Sequence, residues 1–118
     1  MAILDIIIAP DPRLKVKSTP VDKVDDDVRQ LMDDLLETMR TGDKGVGLAA
    51  PQVGVAKRVI VIDLSQRDDD TPAPLCMANP EIISSSKELV SSEEGCLSVP
   101  KYFAEVVRPA SVRLRYLD

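Results

Sequence analysis

The 118-residue sequence contains no histidine and no tryptophan, and its only aromatic residues are one Phe and two Tyr. Histidine is the commonest general base and metal ligand in enzymes, so its absence removes the usual route to both functions. The shortage of aromatic rings means that the core must be aliphatic. It also argues against ligands that stack on rows of aromatic side chains.

The sequence also lacks an excess of positive charge and a long apolar run. With 15 basic and 20 acidic residues the formal net charge is −5, which is the wrong sign for holding a phosphate backbone, so we expect no nucleic-acid partner. The apolar run at residues 3–8 contains Asp5 and is too short to cross a bilayer, so no membrane association is expected. The two cysteines, Cys76 and Cys96, are isolated and form neither a disulfide framework nor a CxxC metal knuckle. We therefore expect reduced thiols and a cytoplasmic location.

Length and composition predict one globular domain over residues 1–118. Pro10 and Pro12 flank an aspartate and impose a turn, so residues 3–8 are expected to form a short buried or edge segment. Apolar residues at helical spacing predict an amphipathic helix over about residues 25–41, and Gly42 is a plausible stop. The apolar stripe consists of Val28, Leu31, Met32, Leu35, Leu36 and Met39.

The second half of the chain has the pattern of strands. Residues 58–64 form a β-branched run typical of a buried strand, and residues 68–70 form a solvated acidic loop. Shorter strands are predicted at residues 75–78, ending at Asn79-Pro80, and at residues 81–90. Residues 102–108 and an alternating segment at 111–116 complete the set. This order predicts an α+β fold in which mainly antiparallel sheets pack on the helix.

Residues 45–54, GVGLAAPQVG, carry three of the five glycines in the chain. Phosphate binding is not supported, because no Lys-Ser/Thr pair follows and the GxGxxG spacing is absent. The segment is consistent with a tight connector between helix and strand. Gln52 favours a functional interpretation, since an amide held in a stiff loop can donate to an oxyanion.

Residues 93–100, EEGCLSVP, form a second cluster around Cys96. A thiolate beside a glycine can act as a nucleophile or as a soft metal ligand. Without histidine to activate it, the nucleophile is poorly supported, and a buried small apolar residue is the plain alternative. Cys76, flanked by Leu75 and Met77, is expected to be buried.

Together, GVGLAAPQ and EGCLS resemble the first two motifs of the peptide deformylases, in the same order and about 40 residues apart. These hydrolases remove the formyl group from the N-terminal methionine of nascent bacterial polypeptides. The resemblance begins at residues 10–14, PDPRL, and covers the whole chain. It implies a deformylase-like α+β fold, iron or another divalent metal as cofactor, and formyl-Met peptide N-termini at the ribosome as partners.

The resemblance also implies a role for each matching residue. The Gln52 amide and the Leu97 backbone N–H would hold the developing oxyanion, and Cys96 would be a metal ligand. The residues lining the methionine and peptide groove would be Val46, Gly47 and Gly95.

The family's third motif, H-E-x-x-H on a helix, is absent from these 118 residues. That motif supplies two further metal ligands and the general base. We therefore expect the isolated chain to bind no stoichiometric metal and to be inactive. It would be an incomplete deformylase whose missing C-terminal helix comes from another chain, or whose reading frame was cut. The alternative is a non-catalytic remnant that binds peptides or partners. In either case an apolar face including Leu48, Leu97 and Val99 is expected to be exposed, available to a complementing chain or to self-association.

Overall fold

The computed structural model describes residues 3–41, 46–64 and 74–118, so the predicted stop at Gly42 and the acidic loop at 68–70 lie outside the described residues. These described ranges contain one α-helix and six strands, which confirms the α+β class. They are α1 (Asp26–Thr41), β1 (Gly47–Ala49), β2 (Val59–Ile62), β3 (Leu75–Ser85), β4 (Leu89–Cys96), β5 (Val99–Pro109) and β6 (Val112–Leu117). Within the described ranges, no helix is both long and apolar enough to cross a membrane.

The strands form two sheets. A four-stranded sheet has the order β1-β2-β3-β6, and β4 and β5 form a separate two-stranded hairpin. Every ladder is antiparallel, as predicted. The hairpin is separate from the main sheet, because the described strands form no ladder between the two.

The predicted helix is confirmed as α1, and its apolar stripe forms the core. The Asp25 carboxylate accepts from the Val28 N–H at 2.9 Å and caps the first turn. Leu35 and Met39 are completely buried and belong to one cluster with Val59 and Val61 of β2. Burying a side chain of this size stabilises a fold by roughly 1.5–3 kcal/mol, so this layer holds the sheet to the helix.

The prediction that a strand ends at Asn79-Pro80 is wrong, since β3 continues through both residues to Ser85. Asn79 adopts a left-handed conformation with φ of 51°, and the register with β6 shifts between Ala78 and Glu81. A bulge tolerates proline, which has no N–H to donate to a ladder. The Asn79 side chain also exchanges two hydrogen bonds with the Val21 backbone, at 2.9 and 2.7 Å, which stabilises the irregularity.

Residues 3–9, hereafter the N-terminal strap, lie against three different parts of the fold. The Leu4 N–H donates to the Thr38 hydroxyl on α1 at 2.9 Å. The Ile7 and Ala9 N–H groups donate to the Gln52 and Ser98 carbonyls at 2.7 and 2.8 Å. The segment belongs to no sheet ladder, and Ile7 is its buried apolar residue.

The apolar exposure expected near the two motifs is only partly present. Leu48 is 2% exposed and belongs to the core, so its predicted exposure is wrong. As the central residue of β1 it pairs with Val61 and faces the helix layer. Leu97 is half-buried against the core, whereas Val99 is exposed. Large exposed apolar side chains on the hairpin are Leu89, Val90, Val99, Tyr102, Phe103 and Val107.

Candidate functional site

The Gln52 side chain is oriented by its own loop. A short 3₁₀ turn, Ala50–Val53, follows β1 and ends at Gly54, which has a φ of +83° that favours glycine. The Gln52 Oε1 atom accepts a hydrogen bond from the Ala49 N–H at 3.0 Å. Because the oxygen is held in this way, the amide nitrogen points out of the loop. The segment predicted as a plain connector is thus a short strand followed by this turn.

The Gln52 amide nitrogen reaches the second motif. Nε2 lies 3.2 Å from Ser98 Oγ and 3.6 Å from Cys96 Sγ. The resemblance implies that Gln52 and Cys96 belong to one site, and the structure brings these two side chains together across 44 residues of sequence. Sulfur is a weak acceptor, so the N–H directed at Cys96 is the less strongly held of the two.

Cys96 is the last residue of β4 and is exposed, and it is paired with Val99 across the hairpin turn. The turn residues are Leu97 and Ser98. The alternative of a buried thiol is therefore wrong for Cys96, because the end of the hairpin carries its side chain to the surface beside Gln52. Leu97, by contrast, packs its side chain against the core, which fixes the turn.

Cys76 is the partly buried thiol of the chain and lies opposite Val61 in β3. Burial raises the pKa of the Cys76 thiol, and the negative charge of Asp33 acts in the same direction while Arg40 opposes it. A thiol must lose its proton to attack or to bind a metal, so this environment suppresses the reactivity of Cys76.

Ser98 is the site residue that sequence reasoning missed. It is buried, its hydroxyl oxygen accepts a hydrogen bond from the Gln52 side-chain amide, and its carbonyl accepts one from the Ala9 N–H. The available signal was its place in the EGCLS motif, two residues beyond Cys96.

The three predicted groove residues lie on two elements. Gly47 begins β1 opposite Ile62, and the Val46 carbonyl accepts from the Asp63 N–H at 2.9 Å. Gly95 precedes Cys96 on β4 and lies opposite Phe103. A Cβ on Gly95 would meet the Phe103 ring at 2.7 Å, so glycine permits the ring to cover this backbone.

Two ion pairs stiffen the surroundings of the site. The Asp63 carboxylate is 1% exposed and lies 2.7 Å from Arg40, which joins the end of β2 to the last turn of α1. Glu94, next to Gly95, accepts two hydrogen bonds from Arg108 at 2.6 and 2.7 Å across the hairpin. Those bonds hold the pKa of the Glu94 carboxyl below its usual value and raise that of Arg108.

The resemblance implies a divalent metal, which needs a set of donor side chains close together. Among residues 3–41, 46–64 and 74–118, no group of three or more His, Cys, Asp or Glu side chains is placed to hold a metal ion. A catalytic zinc or iron centre ordinarily takes three protein ligands. The described residues therefore offer the Cys96 thiolate but do not by themselves fit such a centre.

Comparisons with known proteins agree with one another. A family model described as polypeptide deformylase matches residues 3–118. A peptide deformylase of Methylocella silvestris is 53% identical over 120 residues, covering 100% of this chain and 61% of that protein. A peptide deformylase of Phenylobacterium zucineum is 55% identical over 118 residues, and 69% of its length is matched. The chain thus spans roughly two thirds of the length of these relatives.

Solved structures show the same fold. The crystal structure of peptide deformylase from Ehrlichia chaffeensis in complex with actinonin superposes with a TM-score of 0.91 at 45% identity. This match covers 100% of the present chain and 70% of that one. The peptide deformylase of Thermotoga maritima gives a TM-score of 0.87 at 35% identity, covering 98% and 74% of the two chains.

Proposed function

Because the chain belongs to the polypeptide deformylase family, we propose that it supplies the oxyanion-binding and thiolate portion of a peptide deformylase. The reaction is hydrolysis of the formyl group from the N-terminal formyl-Met of nascent polypeptides in the cytoplasm. The observation that carries this proposal is the Gln52 amide nitrogen, held 3.2 Å from Ser98 Oγ and 3.6 Å from Cys96 Sγ.

Gln52 is the first donor to the oxyanion. One amide hydrogen stays bound to the Ser98 hydroxyl. The other leaves its weak contact with the Cys96 sulfur and donates to the formyl oxygen as negative charge develops there. A donor fixed in advance does not reorganise during the reaction, which is why such groups stabilise transition states effectively. The Leu97 backbone N–H, in the turn next to Cys96, is proposed as the second donor.

Cys96 is proposed to contribute one thiolate to a divalent-metal centre, with iron as the family's metal. Two more ligands and a general base are needed, and the 118 residues contain no histidine to supply them in the family's pattern. We propose that the isolated chain is inactive and that a segment bearing H-E-x-x-H completes it. The exposed apolar side chains of the hairpin are the surface such a segment would cover.

Substrate binding is assigned to the two motif loops. Val46 and Gly47 at the start of β1, with Gly95 at the end of β4, are proposed to line the groove for the methionine and the following peptide. Glycine at these positions lets a peptide backbone approach closely. The partners are therefore peptide N-termini emerging from the ribosome rather than nucleic acid itself.

The deciding experiment compares the 118-residue chain with a fusion that adds a segment bearing H-E-x-x-H. Metal content and formate release from a formyl-Met peptide are measured for both, with excess ferrous iron under anaerobic conditions. We expect neither signal from the isolated chain and both from the fusion, with loss of metal in Cys96→Ser. Turnover by the isolated chain would contradict the proposed division of the site.

The same samples test the non-catalytic alternative. A folded fusion that holds metal but releases no formate, while the isolated chain binds Met-initiated peptides, would favour a peptide-binding module. Isothermal calorimetry with formylated and unformylated forms of one peptide measures that binding directly. The two peptides differ only in the formyl group, so a difference in affinity measures how strongly the site holds that group before the reaction begins.

A further inference from the structure

We propose that the N-terminal strap positions the site, with Ile7 and Ala9 as positioning residues that set the distance between Gln52 and the hairpin turn. The inference rests on the proposed function for the chemistry of Gln52. Its geometry rests on two hydrogen bonds: Ile7 N–H to the Gln52 carbonyl at 2.7 Å, and Ala9 N–H to the Ser98 carbonyl at 2.8 Å.

The hairpin turn needs an external anchor. Its two strands pair only with each other in the described part of the chain. At its base, bonds from Ser86 to Ser111 and from Ala110 to Glu88 join the two segments that connect the hairpin to the main sheet. β4 has 8 residues, which at roughly 3.3 Å per residue places the turn some 25 Å from that base. A lever of this length amplifies small rotations at its base, so contacts at the turn itself are needed to hold it near Gln52. The packing of Leu97 against the core is one such contact, and the bond from the strap to Ser98 is another.

The strap is built to act as a spacer. Its two donors are two residues apart, and a chain of two residues spans at most about 7 Å. The Gln52 and Ser98 carbonyls are therefore confined to a fixed, short separation. The side-chain bonds from Gln52 to Ser98 and Cys96 form within that frame, at 3.2 and 3.6 Å.

The strap is itself immobilised at both motif loops and at the helix. Leu4 N–H is bound to Thr38 Oγ1 on α1, and Thr38 is buried. Ile7 is 7% exposed, and its Cδ1 lies 3.4 Å from where a Cβ on Gly54 would be. The strap is therefore packed against the same 3₁₀ turn that holds Gln52.

The test removes one donor at an exposed position of the strap. Ala9 is exposed, so Ala9→Ser retains the N–H and serves as the control, whereas Ala9→Pro deletes it. The readout is the side-chain NH₂ signal of Gln52 in a ¹H–¹⁵N spectrum of the 118-residue chain. With three Gln and one Asn, the spectrum contains only four such signals, and Gln52→Ala identifies the one required.

We expect Ala9→Pro to shift the Gln52 signal toward that of a free amide while the Gln30 signal and the Leu35 and Val61 methyl signals stay in place. Ala9→Ser should change none of them. A folded Ala9→Pro variant with an unmoved Gln52 signal would overturn the proposal. A general loss of structure would move the core methyls too, so it is distinguishable from a positioning effect.

Hydrogen exchange of the unsubstituted chain provides a second measurement that no folding failure can obscure. The Ile7 and Ala9 amides should exchange at least about 100-fold more slowly than in an unstructured peptide, as amides in closed hydrogen bonds do. Exchange of Ala9 at the free-peptide rate would refute the strap. Neither experiment requires deformylation, so failure of the strap and failure of the proposed function are separate results.

Discussion

The side-chain amide of Gln52 donates to the hydroxyl of Ser98 at 3.2 Å across a separation of 46 residues. Ser98 is 2% exposed, and its carbonyl is bound by Ala9 at the same time. One small residue in a hairpin turn thus receives bonds from two other regions of the chain. The orientation of the proposed oxyanion donor therefore depends on a hydroxyl group that takes no direct part in the chemistry.

Ser98→Ala should destabilise the chain by about 1–2 kcal/mol, because it deletes a buried acceptor and leaves the Gln52 N–H unpaired. Equilibrium urea unfolding measures the change. Ser92→Ala is the matched control, since Ser92 lies on the same hairpin but is exposed, and its cost should be within about 0.5 kcal/mol. Equal costs for the two substitutions would show that the Ser98 hydroxyl is not held by Gln52.

Gln52→Ala in the fusion bearing H-E-x-x-H should lower kcat by about 10²–10³, the usual effect of removing one oxyanion donor. The KM should change little, because the interaction strengthens only as charge develops on the oxygen. Steady-state formate release provides both constants. Gln30→Ala, on the exposed face of α1, should leave them unchanged. A raised KM with unaltered kcat would instead assign Gln52 to ground-state binding.

Gly95→Ala should cost about 1–2 kcal/mol, since the new Cβ would lie 2.7 Å from the Phe103 ring and displace it. Phe103→Ala removes the obstacle, so Gly95→Ala should cost less in that background. A double-mutant cycle of unfolding free energies measures the coupling. Additive effects would mean that Gly95 is required for its backbone conformation rather than for the ring.

Arg40→Ala should destabilise the chain by about 1–3 kcal/mol, because it removes the guanidinium from a carboxylate on Asp63 that is 1% exposed. Arg29→Ala is the control on the same helix. Its partner Asp26 is 3.7 Å away and both side chains are solvated, so the loss should be close to zero. Thermal or urea unfolding distinguishes the two, and a comparable loss at Arg29 would contradict the role assigned to burial.

Lowering the pH should reduce the stability of the hairpin, because it protonates the Glu94 carboxylate. Its carboxyl pKa is lowered from 4.5 in the folded chain by the hydrogen bonds from Arg108, so the folded state favours the ionised form. This contribution is fully present above pH 4.5 and is lost as the pH falls through the folded pKa. Glu94→Gln should therefore flatten the decline in stability between about pH 5 and pH 3. Unfolding curves at several pH values test this, and an unchanged decline would exclude Glu94 as its source.

Local patterns predicted the parts of the fold that local physics controls. The stripe from Val28 to Met39 has a helical period and is buried against the sheet. The alternation of Val112, Leu114 and Tyr116 appears as strand β6, in which Leu114 and Tyr116 are half-buried. In both cases the spacing of apolar residues alone decides which face is buried.

The wrong predictions concern residues whose environment is set by contacts that are distant in sequence. Asn79-Pro80 resembles a strand terminator, yet a bulge and two side-chain bonds to Val21 carry the strand through it. Leu48 was expected to be exposed, but the pairing of β1 with β2 buries it. Ser98 was missed because its role depends on hydrogen bonds from Gln52 and Ala9, which are distant in sequence. Such long-range contacts leave no periodic signal in the chain.

The hairpin and the strap also differ in when they can form. The β4–β5 ladder joins neighbouring segments, and hairpins of this kind close in microseconds. The bonds from Gln52 to Cys96 and Ser98 close separations of 44 and 46 residues, and the bond from Ala9 to Ser98 joins regions farther apart still. Loop-closure entropy must be overcome before such contacts give any stabilisation. We therefore expect the proposed oxyanion site to form late in folding, after the hairpin that carries half of it, so that a ligand bound there would recognise only fully folded chains.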